Sequence, residues 1–140
     1  FDEAIQNFNK FLVMQPNHSK AHFGLGNGLM MKGHLDLALG EYRKSAELDP
    51  KFAFPYLNIA NIQMQTKNIP AAIENFEKAL TINPSMPAVH LSLGMVYHQF
   101  QGNSEKTLGH LKESLRLAPG QPKAKSIRSL IQELENKQPT

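Results

Sequence analysis

An all-α solenoid of antiparallel helix pairs, closed by a C-terminal capping helix, is the fold that this sequence predicts. Pro16, Pro50 and Pro84 stand 34 residues apart, and Pro119 follows 35 later. A fixed period of that length marks helix–turn–helix units stacked in series. Within a period the apolar residues fall at helical spacing: Ala72, Phe76, Ala79 and Leu80 lie at i, i+4, i+7 and i+8, one stripe of a helix.

Residues 1–18 read as the second half of a unit whose first helix is absent, with Ala4, Phe8 and Leu12 at its twentieth, twenty-fourth and twenty-eighth positions. The chain opens on Phe rather than Met, so a piece or processed product of something longer is expected; the alternative is a disordered or removed N-terminus. Without its covering helix this segment would expose apolar surface. Three whole units follow at 19–52, 53–86 and 87–121. In each, the seventh position is apolar (Leu25, Ile59, Leu93) and the eighth is small (Gly26, Ala60, Gly94). The turn carries Gly33, Lys67-Asn68 or Gly102-Asn103. The second helix has a small residue at its twentieth position (Ala38, Ala72, Thr107) and a large one four later (Tyr42, Phe76, Leu111). Small residues at the eighth and twentieth positions let paired helices approach closely.

The units end in AELDP, LTINP and LRLAP, where proline cannot continue the helix. Pro70 falls near the start of a helix, where its missing N–H costs little. Ser104, followed by Glu105, is the expected cap of the next second helix. The third unit is one residue longer, and the extra residue is assigned to the turn near Gln101 and Asn103. Residues 122–137 form the capping helix, with Ile127, Leu130, Ile131 and Leu134 inward and Lys123, Lys125, Arg128, Glu133, Glu135 and Lys137 elsewhere. A frayed tail is expected at 138–140.

This layout resembles the tetratricopeptide repeat family, whose pattern has a large residue fourth, Leu-Gly at seven and eight, Tyr eleventh, Gly fifteenth, Ala at twenty and twenty-seven, and Pro thirty-second. The fourth position here holds His22, Tyr56 and His90, the eleventh Leu29, Gln63 and Tyr97, and the twenty-seventh Ser45, Ala79 and Ser114. Gln63 departs most, and its apolar role is expected to pass to Ile62 or Met64. The resemblance implies a right-handed superhelix whose first helices line a concave groove that holds peptides or helices of partner proteins. It also implies the partner-binding residues: Phe23, Asn27, Met30 and Met31 in the first unit; Phe54, Leu57, Asn58, Asn61, Met64 and Gln65 in the second; Leu91, Ser92, Met95 and His98 in the third. The asparagines can each donate and accept, which suits the backbone of an extended peptide. The methionines offer an adaptable apolar floor. Gly24 and Ser92 stand where further asparagines would complete a ladder with Asn58. The chain supplies Asn27 and Asn58 to a carboxylate clamp but has Phe23, Ala88 and Ser92 where its cations belong, so no strong clamp for acidic C-terminal peptides is expected.

The residues point away from chemistry. No catalytic constellation, cofactor fingerprint or metal set is found. Of the six histidines only His18 and His22 stand four apart, and no Glu follows His18 as a zinc-protease motif requires. His22 and His90 share a position that packs between helices, so they read as partly buried histidines rather than ligands. Gly24, Gly26 and Gly28 lack the context of a nucleotide loop and read as loosening their helix, since each interior glycine costs ~1 kcal/mol relative to Ala. There is no cysteine, which excludes a disulfide framework and fits the cytoplasm without excluding the periplasm. No apolar run is long enough for direct membrane insertion. The net charge of +3 arises beyond residue 104, where seven Lys/Arg face four Glu; earlier, eight face eight. Such a run commonly just solvates a face, and no aromatics interleave with it as a nucleic-acid partner would require. The sequence thus reads as a non-enzymatic protein–protein interaction scaffold. The alternatives are a self-assembling unit, forming a homo-oligomer through the helix from Phe1 to Met14, and the recruiting arm of a larger enzyme.

Overall fold

The computed structural model describes residues 1–138; Pro139 and Thr140, the last two residues of the expected tail, lie outside the described residues. The chain divides into two compact units, Phe1–Ile82 and Asn83–Thr140. The first contains α1 (Asp2–Met14), α2 (Ser19–Met31), α3 (Leu35–Leu48), α4 (Phe54–Gln65) and α5 (Ile69–Ile82). The second contains α6 (Pro87–Val96), which runs into a π-helical turn at Tyr97–Gln101, then α7 (Ser104–Leu117) and α8 (Ala124–Lys137). Every regular element among the described residues is helical, so the fold is all-α. The helices pair as α2 with α3, α4 with α5 and α6 with α7, while α1 packs on α2 and α8 on α7.

Small residues set how close the pairs come. A Cβ added at Gly26 would stand 2.7 Å from the Tyr42 ring, and one at Gly94 2.8 Å from the Leu111 side chain. Gly24 and Gly28 do not merely loosen α2. A Cβ at Gly24 would overlap the Phe8 ring, and one at Gly28 would come within 2.8 Å of Ile5. These two glycines form the seat on which α1 packs. No residue of α1 is buried. Ala4, Asn7, Phe8 and Phe11 line an open concavity of about 420 Å³. An ion pair between Asp2 and Lys32 also joins α1 to the end of α2, and Lys32 holds the Asp2 carboxyl below the usual carboxylate range.

The turns explain the extra residue of the third repeat. Gly33 and Lys67 both adopt left-handed backbone, φ 80° and 64°. In each case the next N–H reaches five residues back, His34 to Leu29 and Asn68 to Gln63, as in the left-handed helix stop. Gly102, at φ 57°, plays the same part after α6, but Asn103 N–H reaches six residues back, to Tyr97. The added residue is wound into the helix end as a π-turn, leaving the left-handed stop intact. The cap of α7 is Asn103, not Ser104: the Asn103 carboxamide accepts from Lys106 N–H at 3.0 Å, and Ser104 is already the first helical residue. α2 is capped by His18 Nδ1, which accepts from Ala21 N–H at 3.1 Å.

The core follows the helical stripes. Ala38, Tyr42, Ile59 and Ile62 form one cluster in the first unit, with Phe23, Leu29, Met30, Leu35 and Leu39 packed against it. Ala72, Phe76 and Ala79 are fully buried on α5, as are Val89, Leu93 and Leu111 in the second unit. Ile62 takes the apolar role beside Gln63, whose side chain instead accepts from Asn75 Nδ2 at 2.9 Å.

Candidate functional site

α2 and α4 share a face on which side chains fall in rows one helical turn apart. Phe23 and Asn27 are four residues apart on α2, and Phe54 and Asn58 four apart on α4, so each pair lies one above the other. The Phe23 and Phe54 rings are 6.4 Å apart between centroids. One turn on, Asn58 Nδ2 donates to Asn27 Oδ1 at 3.0 Å. Phe52, from the segment before α4, closes the aromatic row at 5.0 Å from Phe23 and 6.0 Å from Phe54, with its ring inclined by 69° and 59° to theirs.

Tyr42 controls the amide row. Its hydroxyl donates to the same Asn27 oxygen at 2.7 Å and stands 3.6 Å from Met30 Sδ. Burial pushes the Tyr42 phenol above its ordinary value of 10, and the neighbouring Asn58 amide opposes that shift. Asn27 therefore differs from the expectation that it would both donate and accept. Its oxygen already holds two hydrogen bonds from within the protein, and only its N–H groups are left to a partner. Met30 is half-buried and packs against the core cluster, as Phe23 does. Met31 is 58% exposed and Phe54 49%; Gln65 is exposed; Leu57, Asn61 and Met64 are half-buried.

In the second unit Leu91 and Met95 line a concavity of about 160 Å³ together with Lys123, Ser126, Ile127 and Leu130. Ser92 is half-buried on α6, and His98 is exposed on the π-turn, outside that lining. The concavity is apolar, with Lys123 contributing its single cation.

The fourth-position histidines are fastened on both ring nitrogens. His22 Nε2 donates to the Pro16 carbonyl at 2.8 Å, and its Nδ1 lies 2.6 Å from a Glu41 carboxylate oxygen. His90, 9% exposed, donates from Nε2 to the Pro84 carbonyl at 2.8 Å, and its Nδ1 meets His110 Nδ1 at 3.0 Å. Each histidine ties the end of one repeat to the second helix of the next, a structural task. Among the described residues no group of three or more His, Cys, Asp or Glu could hold a metal ion, and no helix is long and apolar enough to cross a membrane.

Tyr42 and Phe52 belong to this site although the sequence reading placed neither there. Tyr42 occupies a core position on a second helix, and only its hydroxyl reaches through to the α2 face. Phe52 lies in a connection, outside helical periodicity. The fourfold step from each Phe to its Asn on both helices was a visible signal for the paired rows.

Two family models, both described as tetratricopeptide repeat, match residues 19–52 and 53–86. No curated protein matches the chain in sequence. Among solved structures the chain is similar to the crystal structure of MamA, with 24% identity over 96% of this chain and 78% of that one and a TM-score of 0.80. It is also similar to the Arabidopsis OM64 TPR domain, with 18% identity over 82% and 94% of the two chains and a TM-score of 0.73. A third similar fold is the first TPR of Spaghetti (RPAP3) bound to the HSP90 peptide SRMEEVD, with 19% identity over 84% and 90% and a TM-score of 0.72.

Proposed function

The chain belongs to the tetratricopeptide repeat family, and on that premise we propose that it is a protein–protein interaction scaffold that holds a peptide segment of its partner against the shared face of α2 and α4. The observation that carries this reading is the Asn58–Asn27 bond, which joins the two helices beside the half-exposed Phe54. Asn58 and Asn61 bond the partner's backbone, Asn27 adds N–H groups, and Leu57 and Met64 take apolar side chains. Peptide binding by a similar fold supports the mode: the first TPR of Spaghetti is bound to the peptide SRMEEVD. The ligand here is of another kind, because Phe23, Ala88 and Ser92 stand where the clamp for acidic peptides needs its cations. The scaffold works without catalysis, in keeping with a family that is generally non-catalytic.

Panning a random-peptide library against the chain tests the proposal. Peptides recovered on the native chain should lose at least about tenfold in affinity for the Asn58→Ala, Met64→Asp double variant. Unchanged affinity would remove the groove reading.

Self-association is a second reading, favoured by the exposure of Phe11, Val13 and Met14 on α1. Sedimentation equilibrium decides it: a mass that rises with concentration and falls back to the monomer on Phe11→Ser supports it, and a constant monomer mass ends it.

A further inference from the structure

We infer that the segment taken by the α2–α4 face is an uncharged, proline-rich one in the polyproline II conformation, an inference that rests on the proposed function of that same face. Three features of the face converge on this ligand.

The first is charge. The twelve residues of α4 include none that is charged. On α2 the one lysine, Lys20, stands with Phe8, Phe11 and His18 on the side toward α1, and His22 is fastened to Glu41 and Pro16. An acidic or basic segment would find no counter-charge along the Phe and Asn rows.

The second is hydrogen bonding. Asn27 presents only N–H groups, since its oxygen is held by Tyr42 and Asn58. Those groups call for carbonyl acceptors. A polyproline segment carries one free carbonyl per residue and no N–H of its own to leave unsatisfied.

The third is shape. Phe23, Phe52 and Phe54 stand at steep angles to one another rather than stacked, with Phe54 half in solvent. Inclined ring faces next to amide donors form the kind of surface on which proline rings lie in aromatic-lined polyproline grooves. Phe23 to Met31 on α2 and Phe54 to Asn61 on α4 each span about two helical turns, roughly 11 Å, which about four residues of polyproline II cover. Such a ligand is already ordered before binding, which lowers the entropy cost on a shallow face.

The experiment is a titration of the whole chain with acetyl-hexaproline-amide, followed through the side-chain amide resonances of Asn27 and Asn58 and the ring of Phe54. An equally long glycine–serine peptide and an uncharged leucine-containing peptide without proline serve as comparisons. Saturable shifts at these residues are expected, with affinity at least about fivefold above the glycine–serine peptide and changing less than about twofold between low and high salt. Phe54→Leu, which keeps apolar bulk and loses the ring face, should reduce that preference while helical circular dichroism is unchanged. Hexaproline binding no tighter than the glycine–serine peptide, or binding equally well to Phe54→Leu, overturns the assignment. If the leucine peptide alone shifts Asn27 and Asn58, the proline assignment falls while the groove reading stands; if no peptide does, both fall.

Discussion

The first helices of the two units hold equivalent places in the repeat and present different chemistry. α2 and α4 offer an aromatic row and an amide row, drawn together by Tyr42. α6 offers Leu91 and Met95 to a small apolar concavity that has Lys123 in its lining. The divergence begins behind the face. At the twenty-fourth repeat position Tyr42 stands behind α2 and Leu111 behind α6, both fully buried. A phenol reaches past the core to an asparagine; a leucine cannot. One core position therefore serves packing alone behind α6, and packing plus the placing of Asn27 behind α2. The fastened histidines diverge likewise: the same Nε2-to-proline bond is kept, while the second helix answers with Glu41 in one unit and His110 in the other.

Truncation at the purely structural position should have the largest effect. Leu111→Ala is expected to cost about 2–5 kcal/mol in chemical denaturation and to leave peptide binding at the α2–α4 face unchanged under folding conditions. Tyr42→Phe should cost less, about 1 kcal/mol, yet lower peptide affinity severalfold because Asn27 loses one of its two restraints. Equal affinity in Tyr42→Phe would show that the amide row does not depend on the phenol.

The same hydroxyl gives a pH signature. The folded phenol sits above 10, the value it takes on unfolding, so its contribution is complete below pH 10 and lost as pH rises through the folded value. Urea unfolding at rising alkaline pH should show that loss in the native chain, with a shallower loss in Tyr42→Phe.

The twentieth position offers a smaller contrast. Ala38 and Ala72 fill it without a polar atom, whereas the buried Thr107 Oγ1 has no hydrogen-bond partner. Thr107→Val should therefore stabilise the chain by about 1 kcal/mol, read as a raised denaturation midpoint. Smallest are Gly40→Ala and Gly109→Ala. Both glycines lie inside helices with nothing within 4 Å of an added Cβ, so each change should add about 0.5–1 kcal/mol. Gly24→Ala should act in the opposite direction by lifting Phe8 from its seat.

Much of the fold was legible because it is periodic. The prolines, the small residues opposite Tyr42 and Leu111, and the helical stripes each recur, and recurrence separates a structural demand from chance. What escaped was set by partners distant in sequence. The role of Gly24 and Gly28 depends on Phe8 and Ile5, which belong to another helix. The π-turn is a choice of hydrogen-bond register at Tyr97 that residue types do not announce. The cap passed from Ser104 to Asn103 because the left-handed stop at Gly102 fixes where α7 begins. At the candidate site the Asn and Phe positions could be named from the repeat, but the consumption of the Asn27 oxygen could not, since Tyr42 lies 15 residues on.

The most direct test is a side-chain amide and methyl NMR titration of the intact chain with a peptide selected on it. The expected result is saturable shifts at Asn27, Asn58, Asn61 and Met64, abolished in Asn58→Ala, with α3, α5 and α7 unaffected on their outer faces. Shifts confined to those outer faces, or to residues of the second unit alone, would contradict a ligand face built by α2 and α4.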